Sequence, residues 1–145
     1  MSHPATVKYE STKTKEISAG SISFDGASGS MSSALEVISV PFPATPLAAG
    51  TSTWTVAPVA GSIVRVQTVV TTTLDAATTV ALQLGGVAVT GGDVATAGTL
   101  VAGTVNVNTP TALNVVGLGD AIEITSDAGC TSGDVNVLIT IQRSS

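Results

Sequence analysis

The sequence predicts an all-β fold, a sandwich or small barrel, and three observations carry that expectation. Valine and threonine are the commonest residues; both are β-branched, poor in helices and at ease on a pleated surface. Short alternating segments recur with Gly, Pro, Asn and Asp turn signals roughly every 8–12 residues, the spacing of sandwiches and barrels. No window long enough for a helix repeats its apolar residues at helical spacing.

Taken in order, residues 1–34 are rich in Ser, Thr, Gly and Lys without sustained periodicity, and read as an extended arm. Within it Ile22-Ser23-Phe24 alternates apolar and polar, with Ile17 upstream, as a short strand or hairpin that orders against a partner would. The stretch from Asp25 to Ser30 reads as a flexible joint. The body, 35–145, opens with a strand over Leu35–Val40 that is expected to end at Pro41-Phe42-Pro43, because proline cannot donate to a ladder. Thr53–Ala57 sets Trp54 and Val56 on one face, and the chain turns at Pro58-Val59-Ala60-Gly61. Ser62–Leu74 is the longest strand, with Val64, Val66 and Val70 opposite Arg65 and Gln67. Thr79–Leu84 groups Val80, Leu82 and Leu84; Gly85-Gly86 then signals a two-residue hairpin into Val87–Thr90. Gly91-Gly92-Asp93 begins a loop, and the strand pattern resumes over Thr99–Asn108. Ala112–Val116 and Ala121–Ser126 flank a turn at Gly117-Leu118-Gly119-Asp120. The clearest alternation closes the chain: Val135, Val137, Ile139 and Ile141 on one side, Asn136, Thr140 and Gln142 on the other. The Ala/Gly/Thr/Val-rich residues 76–105 show no fixed period and are compositional bias, not a solenoid.

Charge is divided between arm and body. All three lysines, Lys8, Lys13 and Lys15, lie in the arm, and the body carries only Arg65 and Arg143 against Glu36, Asp75, Asp93, Asp120, Glu123, Asp127 and Asp134. Such a body repels phosphate backbones, which argues against nucleic acid as a partner. Charged residues make up 10% of the chain, against roughly 25% in an average globular protein, so neighbours are expected to cover part of the surface. The aromatics are only Tyr9, Phe24, Phe42 and Trp54, so the core must be aliphatic. Cys130 is the single cysteine, which excludes an internal disulfide and a Cys-based zinc site; it reads as a small packing residue. The N-terminus has no apolar secretory segment, and no apolar run reaches the ~18 residues of a membrane span. Synthesis in a cytoplasm and no membrane partner are the expectations.

The search for chemistry returns little. His3 stands alone beside Pro4 and cannot build a triad or an ordinary metal site. Gly117-Leu118-Gly119 begins like a dinucleotide fingerprint, but the third glycine is missing and a strand follows where the pyrophosphate needs a helix N-terminus. Asp120, Glu123, Asp127 and Asp134 crowd one region, yet their spacing matches no calcium loop, and carboxylates at turns ordinarily bond their own backbone. No catalytic residue, cofactor or metal is assigned. Trp54 is expected to cap the core, with an interface as its other reading.

The body's strand-and-turn pattern resembles the decoration, or cement, proteins of tailed bacteriophage capsids. The stretches that carry the resemblance are Val40–Pro43, Ala57–Val66, Ala88–Gly92, Val116–Ile124 and the closing strand to Arg143. The resemblance implies a jelly-roll-like β-sandwich of about eight short antiparallel strands, set as a homodimer or homotrimer on the outer surface of a finished virion shell. The major capsid protein would be the partner, and no catalytic residues carry over. The arm would then supply contacts through Tyr9, Ile17, Ile22 and Phe24, with Trp54 a further contact candidate. A phage fibre or receptor- or carbohydrate-binding sandwich shares the same pattern and is the alternative.

Overall fold

A computed structural model describes residues 21–24, 27–30, 34–43, 50–96 and 98–144. The chain divides into two compact units, the second running Ser33–Ser144. In the first, β1 (Ser21–Phe24) pairs antiparallel with β2 (Ala27–Ser30). The alternation at Ile22-Ser23-Phe24 therefore does form one strand of a hairpin. Ala27–Ser30, expected to be a joint, is its second strand. Tyr9, Ile17 and the rest of residues 1–20 lie outside the described residues.

The second unit is all-β, without a helix among the described residues. Its strands are β3 (Leu35–Phe42), β4 (Thr53–Val56), β5 (Gly61–Thr72), β6 (Thr78–Leu84), β7 (Val87–Ala88), β8 (Val94–Thr96), β9 (Val105–Asn108), β10 (Val115–Val116), β11 (Ala121–Ser126) and β12 (Asp134–Arg143). One sheet runs β10-β5-β12-β3, with β9 also on β5; the other runs β4-β11-β6-β7, with β8 also on β6. Every pairing is antiparallel. Taking β7 with β8, and β9 with β10, as two interrupted strands, the sheets read 1-8-3-6 and 2-7-4-5. First strand beside last, second beside seventh: this is the order of a jelly roll, a double-sheet sandwich.

The strands depart from the local sequence pattern at several points. Strand β3 does not stop at Pro41 but pairs through Phe42. Among the described residues it is an edge strand, and the Arg143 amide donates to the Ala34 carbonyl at 3.0 Å, so alternate residues from Ala34 face β12. Pro41 falls in the other set, where a missing N–H costs no ladder bond. In β5, Val64 does not share a face with Val66. The register with β12 slips there, Thr140 opposing Arg65 and Ile141 opposing Ile63, and this bulge switches the buried parity from Ile63 to Val66, Thr68 and Val70. Thr99–Asn108 narrows to β9, while Val94–Thr96, placed in a loop by the sequence, is β8.

Three expectations hold closely. β11 spans Ala121–Ser126. β6 buries Val80 and Leu82, with Leu84 packed on the core. Gly85 and Gly86 lie at φ 58° and 81°, both positive as a type I′ hairpin requires.

The core is aliphatic: Ile63, Val66, Val70, Leu74, Val80, Leu82, Ile122, Ile124, Val135, Val137, Ile139 and Ile141 interleave between the sheets, with Phe42 the one buried aromatic among the described residues of this unit. Cys130 packs into the same cluster, as a small packing residue should. The side chains of β12 illustrate the economy of the pattern. Four alternating aliphatics face inward from a strand that lies between β3 and β5.

Candidate interaction surfaces

Alternation that buries one set of side chains necessarily displays the other. On the sheet containing β3, β12, β5, β9 and β10, paired residues assemble the displayed face row by row. Leu35 stands beside Gln142, Ser62 and Val115. Val37 stands beside Thr140 and Arg65. Ser39, Leu138, Gln67 and Val107 form the next row, then Pro41, Asn136, Val69 and Val105. Leu35, Val37, Val105, Val107 and Val115 are all exposed, Val115 by 72%. Arg65 is the only charge in these rows. Nearby Leu113 is a displayed leucine held at φ 54°, a backbone region that costs an L side chain about 1–2 kcal/mol. The exposed apolar residues lie along its two edges, Leu35 and Val37 on β3 and Val105, Val107 and Val115 on β9 and β10, with Gln142, Thr140, Ser62, Arg65 and Gln67 between them. A face so poor in charge, edged with displayed aliphatics, is a candidate contact surface.

The opposite sheet displays a mixed polar and apolar face. Glu123 of β11 lies between Trp54 of β4 and Gln83 of β6, and Ser52 donates to Glu123 Oε1 at 2.5 Å. Trp54 is 61% exposed and Val56 58%. The expectation that Trp54 caps the core is therefore overturned: β4 pairs so that Thr53 and Thr55 face partly inward, and the tryptophan points out with Val56. Its interface reading is the one compatible with this position.

At one end of the sandwich the acidic residues fasten loops. The Thr131 hydroxyl donates to Asp75 Oδ2, and the amides of Thr131 and Ser132 donate to Oδ1 at 2.9 and 3.1 Å. These bonds hold the Asp75 carboxyl down at about 2. Burial pushes Asp127 upward, but donation from Thr79, Thr78 and Gly129 outweighs it and leaves the carboxyl below its ordinary range. Burial also pushes the Cys130 thiol up, with Asp75 adding to it, so the thiol is not activated. At the other end of β11, Asp120 accepts from the Gly117 amide at 2.7 Å and closes the turn that leads into the strand. No group of three or more His, Cys, Asp or Glu suited to a metal occurs among the described residues. A shallow cleft lined by Ser39, Pro41, Asp134 and Asn136 indents the rim of the apolar face.

Of the contact candidates read from sequence, Tyr9 and Ile17 lie outside the described residues, Ile22 and Phe24 lie on β1, and Trp54 is on the surface of the second unit. The exposed residues of β3, β9 and β10 were not among the candidates. The signal was present: Leu35-Glu36-Val37-Ile38-Ser39-Val40 places apolar residues on both parities, so one set had to be displayed. Compared with protein-family models, curated proteins and solved structures, the chain matches none.

Proposed function

We propose that this chain is a structural virion protein that binds the outer surface of an assembled phage capsid and stabilises it by bridging neighbouring major capsid protein subunits. The observation that carries the reading is the jelly-roll body with its broad, nearly uncharged displayed face over β3, β12, β5, β9 and β10. A binder specific for the assembled shell shifts the equilibrium toward assembly, by about 2.7 kcal/mol per site at a hundredfold excess over Kd. Arm and body engaging different subunits multiply modest contacts through effective concentration. The reading assigns no catalysis, nucleic acid or membrane; the protein is made in the host cytoplasm and resides on the outer capsid surface. Undecorated shells incubated with the full chain should gain stoichiometric decoration and rupture at a higher temperature. Deleting residues 1–30 should reduce occupancy at least tenfold; unchanged occupancy would move the contact wholly to the sandwich, and no decoration by the full chain would end the proposal.

One observation favours a second reading, a receptor- or carbohydrate-binding module. Trp54 is displayed beside Glu123, and sugars stack on exposed aromatic faces held near polar groups. Binding on a glycan array that disappears in Trp54→Ala would select this alternative.

A further inference from the structure

We propose that two copies of the chain join edge to edge through β3, pairing antiparallel about Val37 so that one sheet continues through both sandwiches. Among the described residues β3 pairs on one side only, with β12. The bond from the Arg143 amide to the Ala34 carbonyl sets the phase of the unbroken register. Ala34, Glu36, Ile38, Val40 and Phe42 direct their backbone groups at β12, and Leu35, Val37, Ser39 and Pro41 direct theirs at the free edge. An eight-residue edge strand with open donors and acceptors is a template for another strand.

The position of Pro41 selects the register. Centred on Val37, antiparallel self-pairing sets Val37 against the partner's Val37, and Leu35 against the partner's Ser39 on either side. These three pairs form about six backbone hydrogen bonds, and Pro41, with no N–H, falls outside them. Centred on Ser39 instead, Pro41 would oppose Val37 and lose its donor.

Charge leaves this edge as the place where a second copy can approach, and the self-complementary register about Val37 makes that copy the occupant. Two acidic bodies, each with seven carboxylates to two arginines, repel over most of their surfaces. On the displayed face of this edge Leu35, Val37, Ser39 and Pro41 are uncharged, and the nearest charge in their rows is the cation Arg65. Glu36, the one charge on β3, is half-buried on the other face and meets the partner's Ile38 in this register, not a second carboxylate. The same pairing lays Leu35 diagonally against the partner's Val37, covering two residues that are 60% and 59% exposed.

The inference rests on the chain being self-associating and not on its binding to a shell, so measurement on the isolated full-length protein lets the two fail separately. Sedimentation equilibrium should give twice 14.2 kDa for the wild type. Val37→Pro should give a folded monomer that still melts cooperatively, at a midpoint that no longer rises with protein concentration as the wild type's does, because the Val37 N–H belongs to the free edge and Pro41 already occupies an equivalent position. Should that variant melt early, Val37→Cys supplies the second measurement. Opposed Cα atoms about 5.5 Å apart fall within disulfide reach, so mild oxidation should yield covalent dimer at least tenfold faster than with the exposed control Val101→Cys. A wild-type monomer or trimer, a folded Val37→Pro variant that remains dimeric, or equal cross-linking of the two cysteine variants overturns the proposal.

Discussion

Asp75 is, like Asp127, a carboxylate held by three hydrogen bonds. It accepts from the Thr131 hydroxyl and from two successive amides, bonds that favour the charged carboxylate. Its folded-state value of about 2 against an ordinary 3.8 fixes the sign of the pH dependence. The stabilisation is fully present above 3.8 and is lost as pH falls from there through about 2. Asp75→Asn should therefore melt below the wild type at pH 6, and the gap should narrow as both are taken toward pH 2. A gap that stays constant across thermal melts from pH 6 to pH 2 would show that the carboxylate charge is not the cause. At this scale the sequence was informative about acids, which were expected to bond backbone at turns, and misleading about Trp54. One large aromatic in an aromatic-poor chain is most readily placed inside. The parity of β4 against β11 places it outside, and that parity is not written in Thr53–Val56 alone.

Among the elements, the β6–β7 hairpin was the most legible and β8 the least. Two consecutive glycines between alternating segments state a turn chemically, because both positions need positive φ. A Cβ at Gly85 would meet nothing within 4 Å, so conformation and not crowding decides what is tolerated there. Gly85→Asn should leave the thermal midpoint within about 1 °C of the wild type, since asparagine visits this region readily. Gly85→Val should cost about 1–2 kcal/mol, the penalty of a left-handed backbone for a branched side chain; chemical denaturation measures both. β8 escaped notice because Val94-Ala95-Thr96 is too short to show a period, and it follows a glycine pair that reads as loop. It exists because Thr78 and Thr96 are locked together: the Thr78 amide donates to Thr96 Oγ1 at 3.0 Å, and that hydroxyl donates to the Thr78 carbonyl at 2.8 Å. The bulge at Val64 escaped for a related reason, since only the partner strand reveals which residue is the extra one.

For the whole sandwich unit, the jelly-roll order makes the last strand indispensable to the first. β12 lies between β5 and β3 and contributes Val135, Val137, Ile139 and Ile141 to the core. A chain ending after Gly133 would leave β3 without its one described partner and open both sides of the strand's slot. That truncation should abolish the cooperative thermal transition and expose apolar surface to a hydrophobic dye. Retention of a cooperative melt would mean that the second sheet, β4-β11-β6, folds without the first. The same topology separates the two displayed faces, so that a charge-poor sheet face and a tryptophan-bearing face lie on opposite sides of one core.

The sequence by itself determined the class of the fold, the aliphatic core, the longest strands and the glycine turn, because β-branched composition, period-two alternation and positive-φ chemistry are local properties. It also determined that the body is acidic and that its lone cysteine packs as a small residue. Only the tertiary structure decided which side of each two-sided strand is buried, where β5 slips its register, and that β3 is an edge among the described strands. Those depend on which strands become neighbours across the chain, from Leu35 beside Gln142 to Val66 beside Ile139. The residues now proposed to make contacts, Leu35, Val37 and Trp54, are apolar side chains that this pairing turned outward.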